Sequence, residues 1–168
     1  QLASASDRLA SEVGLKAVAA GEPEFYLFEG RPGEASAVPY SQTGVSYTVD
    51  RVTDPRGVVG AMHRNLIDLG IGVTVVNREF SPGQFEINLQ HDAAGQAADS
   101  AFLLKSSIKE LASIEGLSAV FMAKPRSGHE GSGLHVHVSL WDGDHNVFDA
   151  GEGALSDVAL GAIAGLQV

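Results

Sequence analysis

Asn77-Arg78-Glu79-Phe80-Ser81-Pro82-Gly83-Gln84-Phe85-Glu86-Ile87-Asn88-Leu89 is the stretch on which the reading of this chain turns. Two short strand-like runs, each carrying one glutamate, flank Ser81-Pro82-Gly83, where proline removes a donor and glycine permits a bend. Glu79 and Glu86 are seven residues apart, so on an unbroken strand they would face opposite ways. The break resets the phase and lets both carboxylates converge on one point. Converging carboxylates need a cation, a proton or a substrate ammonium between them. The alternative is a solvated sheet face.

On either side of this stretch the pattern is mixed. Residues 2–13 read as a helix with Gly14 as its stop, and residues 15–28 as one or two strands. Strand geometry puts Glu22, Glu24, Tyr26 and Phe28 on one face and Phe25 and Leu27 on the other, while Pro23 predicts an edge or an irregular start. Residues 30–47 read as an excursion, with a hairpin near 40–49. Asp54 can cap a helix with Pro55 at its first position, and Val58, Val59, Met62, Leu66, Ile67 and Leu69 give it an apolar stripe ending at Gly70.

Residues 71–77 read as a strand, 93–115 as the longest helix with Gly116 as its stop, and 120–123 as a short strand. A loop over 127–133 leads to a strand over 133–140, a turn at 141–144, a return at 146–148 and a helix over 155–166. The strands with one polar face fit an antiparallel sheet, which makes the fold class α+β, with helices on one side of the sheet and the active groups in a cleft on the other.

The chain has 168 residues, enough for one domain with a substantial core, and 44% apolar content argues against disorder. Its 21 acidic residues against 11 Lys and Arg give a net charge of −10, which speaks against nucleic-acid or anionic-membrane partners. A polyphosphate ligand would need its charge offset locally, and divalent cations are the simplest means. With no cysteine, disulfides and thiolate metal sites are excluded. No signal-peptide pattern and no apolar run of membrane-spanning length occur in the sequence, so cytoplasmic location is the expectation.

Five candidate metal ligands stand out: Glu22, Glu24, Glu79, Glu86 and His135. Carboxylate oxygens suit magnesium or manganese, and an imidazole suits manganese better than calcium. Read from the residues alone, Glu22 and Glu24 also fit a wet strand face, and His135 and His137 fit ordinary polar-face histidines or, being one residue apart, a zinc hydrolase. Gly128-His129-Glu130-Gly131-Ser132-Gly133 reads either as a surface turn or as a loop presenting N–H groups and Ser132 to a small anion. Lys124 and Arg126 beside it are solvated cations or anion ligands.

Four motifs in order carry a more specific resemblance: Gly21-Glu22-Pro23-Glu24-Phe25-Tyr26-Leu27-Phe28, Glu79 with Pro82-Gly83-Gln84-Phe85-Glu86-Ile87, Phe121-Met122-Ala123-Lys124-Pro125, and Gly131-Ser132-Gly133-Leu134-His135-Val136-His137-Val138-Ser139-Leu140. Together they resemble the catalytic domain of glutamine synthetases, over most of the chain. The resemblance implies an ATP-dependent ligase with two or more Mg²⁺ or Mn²⁺ ions that joins ammonia or another amine to the γ-carboxylate of glutamate through a γ-glutamyl phosphate. It implies Glu24, Glu79 and Glu86 as ligands of the ion on the amino-acid side, and Glu22 and His135 as ligands of the ion at the ATP phosphates. It implies His137 and Ser139 as nucleotide contacts, and Ser132 and Gly133 as holders of the substrate α-carboxylate.

Asn77-Arg78 departs from many members, in which histidine or another residue precedes the glutamate, and relatives altered there are often assigned to amines other than ammonia. Arg78 itself reads alternatively as a surface cation. The resemblance further implies that residues 1–168 are a fragment of the catalytic domain, without the small N-terminal domain and the C-terminal part, and nearly inactive alone. The parent would be a homo-oligomer of stacked rings. The competing reading is a non-catalytic structural or regulatory relative of the same fold, against which the five intact ligands argue, since folding alone does not favour mutually repelling carboxylates.

Overall fold

The computed structural model describes residues 1–31 and 37–167. Helix α1, Leu2–Arg8, runs on through a π-helical turn over Leu9–Val13 and stops at Gly14, whose φ of 78° suits a residue without a Cβ. Strand β1, Lys16–Glu29, follows as the axis of the fold. After it come β2 (Val38–Pro39), α2 (Val58–Asp68), β3 (Val73–Arg78), β4 (Gln84–Leu89), β5 (Asp92–Ala93), α3 (Ala94–Ile114), β6 (Leu117–Val120), β7 (Leu134–Asp142), β8 (His145–Asn146) and α4 (Asp157–Gly165).

Every ladder is antiparallel, and the main order is β3-β4-β1-β7-β8, with β2, β5 and β6 also pairing with β1. One face of the sheet is closed by α2 and α3. Phe25 and Leu27 of β1 and Phe85 and Ile87 of β4 meet Val59, Met62 and Leu66 of α2 and Leu104, Ile108 and Ala112 of α3 in one buried cluster. This confirms the α+β class and the division of β1 into two faces, since Glu22, Glu24, Tyr26 and Phe28 occupy the alternate positions.

Pro23 lies inside the central strand and not at an edge. β7 pairs with residues Lys16 to Pro23 of β1, whereas β4 pairs with Glu24 to Tyr26 and β6 with Tyr26 to Glu29. The Glu24 N–H donates to Gly133 O, on the β7 side, so Pro23 directs its hydrogen-free nitrogen to the other edge. There β5 reaches only Val18 and Ala19, and β4 starts at Glu24, so the proline costs no ladder bond.

Among the described residues, no hairpin forms over 40–49; residues 32–36 of the same excursion lie outside the description. The hydrogen bonds of this segment are local or go elsewhere: Ser41 Oγ donates to Thr43 O and Val52 O, the Asp50 carboxylate accepts from the Val52 and Thr53 amides, and Tyr47 N donates to Arg78 O. The strand expected at 120–123 is displaced to Leu117–Val120. It pairs with β1 only as far as Tyr26, because the same edge is held by β7 from Pro23 backwards. Phe121 then leaves the sheet to stack on Phe25 at 5.2 Å.

Candidate functional site

The break at residues 81–83 performs the phase reset expected of it. Glu79 N donates to Gln84 O and Gln84 N to Ser81 O, closing a tight turn. Gly83 takes φ 70°, and a Cβ there would lie 2.7 Å from Leu27 O, so glycine is required twice over. The result is that Glu79, just past β3, and Glu86, in β4, line one cleft of about 380 Å³ together with Glu22 and Glu24 of β1 and His135 of β7. The register explains the grouping: Glu24 lies opposite Glu86 and Glu22 opposite His135 across the two edges of β1. All five predicted metal ligands are thus brought together.

Within the cleft, Glu22, Glu86 and His135 each offer a donor atom within 4.8 Å of the others. Two carboxylates and an imidazole fit a divalent cation, so a candidate metal-binding triad exists on geometry. It draws Glu86 from one of the two ligand sets implied by the resemblance, and Glu22 and His135 from the other. Glu22 also lies between two imidazoles, with Oε2 3.4 Å from His135 Nδ1 and Oε1 3.1 Å from His137 Nε2.

The electrostatics show what the carboxylates lack. Glu79 and Glu86 are 6% and 8% exposed. Burial first, then the Glu86 and Glu24 carboxylates, push the Glu79 carboxyl up to about 7. Burial first, then Glu22 and Glu24, likewise raise Glu86 above the ordinary carboxylate range. Burial and mutual repulsion thus both disfavour the charged forms of Glu79 and Glu86.

His137 and Ser139 line an adjoining hollow of about 260 Å³ with Trp141 and His91, and Trp141 Nε1 donates to Ser139 Oγ at 2.8 Å. Ser132 and Gly133 line a third cavity, of about 400 Å³, bounded by Glu24, Phe102, Lys105 and Phe121. Ser132 Oγ is buried there without a hydrogen-bond partner, as a group awaiting a ligand would be. Gly133 sits close to the carboxylate, since a Cβ there would stand 2.9 Å from Glu24 Oε1 and displace that side chain. Lys124 turns back on the neighbouring loop, its Nζ donating to His129 O.

Arg78 is not a surface cation: it is 4% exposed, and Nη1 donates to Glu79 O at 2.8 Å. Sequence reasoning gave no role to Gln84, Glu130, Tyr47 or Phe80, all of which line the cleft. Gln84 and Glu86 are two apart on β4, so period-two reading could have placed Gln84 on the carboxylate face. Glu130, Tyr47 and Phe80 belong to irregular segments and carry no such signal.

The description "Glutamine synthetase, catalytic domain" matches residues 1–168. The chain is 38% identical over 166 residues to a glutamate–isopropylamine ligase from a Pseudomonas species, covering 94% of this chain and 36% of that protein. It is 33% identical over 156 residues to the glutamine synthetase of Pyrococcus abyssi, covering 93% of this chain and 35% of that one. Among solved structures, GmaS in complex with ADP superposes with a TM-score of 0.84 at 30% identity, over 98% of this chain and 39% of that chain. The chain therefore spans roughly a third of the length of the curated relatives it matches. Among the described residues no helix is long and apolar enough to cross a membrane. Since one domain description accounts for every residue from first to last, and the sheet superposes on solved relatives, the chain belongs to the glutamine synthetase family, within its catalytic domain.

Proposed function

We propose that this chain contributes part of the active site of a cytoplasmic, ATP-dependent ligase that joins ammonia or another amine to the γ-carboxylate of glutamate. The observation that carries the reading is the convergence of Glu22, Glu86 and His135 on one point inside a cleft also lined by Glu24 and Glu79. Membership of a family whose relatives include both a glutamine synthetase and a glutamate–isopropylamine ligase supports the reaction class and leaves the amine open. The 168 residues are proposed as a portion of the catalytic domain of a longer, ring-forming homo-oligomer, to which other segments add the remaining contacts.

In this reading Glu24, Glu79 and Glu86 hold a cation on the amino-acid side, and Glu22 and His135 hold one at the ATP phosphates. The cations supply charge neutralisation to the transferring phosphoryl group. The residues fit such ions because the cleft concentrates carboxylates, and burial and repulsion disfavour the charged forms of Glu79 and Glu86 when no cation is present. Gln84 Nε2 fixes Glu24 by donating to its Oε2 at 2.8 Å. Ser132 and Gly133 hold the glutamate α-carboxylate, and His137 and Ser139 contact the nucleotide. A γ-carboxylate oxygen attacks the terminal phosphorus of ATP, the bond to the bridging oxygen breaks, and ADP leaves. The amine, having lost one proton, attacks the acyl carbon, and phosphate departs with the bonding pair while a second proton leaves the nitrogen.

The test is phosphate release by the full gene product with glutamate, ATP and Mg²⁺ or Mn²⁺, offering ammonia, isopropylamine, polyamines and ethanolamine in turn. Release with at least one amine, abolished by a chelator, is expected. Release with none would overturn the enzyme and leave the non-catalytic relative as the better account.

A further inference from the structure

The loop over 130–133 is fastened to the sheet by side chains that lie in the interior. Tyr26, Ser81 and Gln84 are 0%, 5% and 1% exposed. Tyr26 Oη donates to Glu130 O at 2.7 Å, Glu130 N donates to Ser81 Oγ at 2.9 Å, and Gln84 Nε2 donates to Gly131 O at 2.9 Å. Ser132 N adds a bond to Ala123 O at 2.9 Å. Main-chain groups that have no strand partner are thus paired by buried side chains.

Glu24, a carboxylate of the cleft, meets the same loop at its backbone and at both side-chain oxygens. Its N–H donates to Gly133 O at 3.0 Å, its Oε2 accepts from Gln84 Nε2 at 2.8 Å, and its Oε1 would stand 2.9 Å from a Cβ on Gly133. The hydrogens of Gln84 Nε2 are divided between Glu24 and Gly131. The amide is planar, so the direction of one N–H fixes that of the other. Any turn of the Glu24 carboxylate therefore pulls on the partner of Gly131 O.

We propose that Gln84 couples cation binding at Glu24 to the order of the 130–133 loop. The proposal rests on the reading of Glu24 as an ion ligand and adds a consequence to it. A Glu24 carboxylate held by a cation holds the Gln84 amide in one orientation, and the amide holds Gly131 O. The loop is then ordered before a ligand reaches Ser132 and Gly133, so that the ion and that ligand favour each other's binding. Gln84 is a positioning residue, acting through Glu24 and Gly131.

The experiment follows hydrogen exchange of the Glu130 and Ser132 amides in the full gene product, in chelator and in saturating Mn²⁺, without glutamate or ATP. Mn²⁺ is expected to slow this exchange about fivefold or more. Gln84→Met, similar in volume and without donors, should reduce the factor to about twofold or less at Mn²⁺ concentrations that still saturate it. Tyr26→Phe loses the bond to Glu130 O and leaves the Gln84 donors in place, so it should speed exchange in both conditions and keep the Mn²⁺ factor. A merely structural role would make the two variants behave alike. Thermal melting confirms folding, and Gln84→Glu, which keeps the acceptor oxygen and loses both donors, replaces Gln84→Met if that variant does not fold, with the same loss expected. A factor near one in the unsubstituted protein with Mn²⁺ bound, or a factor retained in the Gln84 variant, overturns the coupling and leaves the ligase reading standing. Absence of Mn²⁺ binding overturns both. Absence of phosphate release with every amine of the preceding test, in a protein whose loop responds to Mn²⁺ through Gln84, overturns the ligase reading alone.

Discussion

The side-chain amide of Gln84, at 1% exposure, makes four hydrogen bonds. Its Nε2 donates to Glu24 Oε2 and to Gly131 O, and its Oε1 accepts from Tyr26 Oη and from Ser81 N. Gln84→Ala leaves several of these groups buried and unpaired, so urea denaturation should show a loss of about 2 kcal/mol. Manganese titration should show weaker binding as Glu24 loses its orientation. Glu79 gives a prediction in pH. Its carboxyl is raised from 4.5 to about 7 in the folded state, so over that interval the folded chain binds more protons than the unfolded one. Stability of the metal-free protein is therefore greatest below about 4.5 as regards this group and falls as pH rises through 7. Urea midpoints in chelator should fall between pH 5 and pH 8, and saturating Mn²⁺ should reverse the fall. Glu79→Gln should flatten the dependence in chelator while weakening Mn²⁺ binding. An equal slope in the variant would show that another group is responsible.

The segments were legible to very different degrees, for reasons that lie in the elements themselves. Helices α2 and α3 showed their apolar stripes and glycine stops, and β1 showed its two faces, because periodicity is a local property. The cap of α2 was half legible: Asp54 does accept from Val59 N and Gly60 N, at 3.2 and 2.9 Å, but it does so across a turn that delays the helix to Val58. The same carboxylate accepts from Tyr40 Oη at 2.7 Å, and burial first, then this bond, pushes the Tyr40 hydroxyl up to about 12. Asp54→Ala should cost about 1–2 kcal/mol in denaturant. The Tyr40 titration midpoint should also fall by ultraviolet absorbance, and an unchanged midpoint would separate the cap from the phenol. What could not be read was set by partners distant in sequence. Pro23 sits mid-strand only because β4 and β5 leave a gap beside it, and the 40–49 segment gives its Tyr47 amide to Arg78 instead of a hairpin partner. The five candidate metal ligands were legible because the motifs named them, whereas Tyr47 and Phe80 reach the cleft through loops that have no period.

At the scale of the molecule, β7 divides two environments. His135 lines the cleft and His137 and Ser139 the adjoining hollow, while Leu134, Val136 and Val138, at the alternate positions of the strand, are more than half exposed. A row of three aliphatic side chains on a sheet gains by burial against other apolar surface. The 168-residue chain alone should therefore show a mass that grows with concentration in light scattering, and Val136→Lys with Val138→Lys should hold it monomeric. A constant monomer mass for the unsubstituted chain would count against this.

The handover along β1 has a last consequence. Its first half carries the histidine strand and its second half carries the glutamate strands, with the changeover at Pro23 and Glu24. Neither group of candidate ligands has a scaffold of its own, so the pocket cannot be assembled in stages by two independently folding lobes. A slip of one residue in either zipper would turn alternate side chains inside out and scatter the ligands. Cleavage of the chain between Gly21 and Phe25 should thus abolish ion binding even if both pieces stay associated, because the measuring stick that sets histidine against glutamate would be broken.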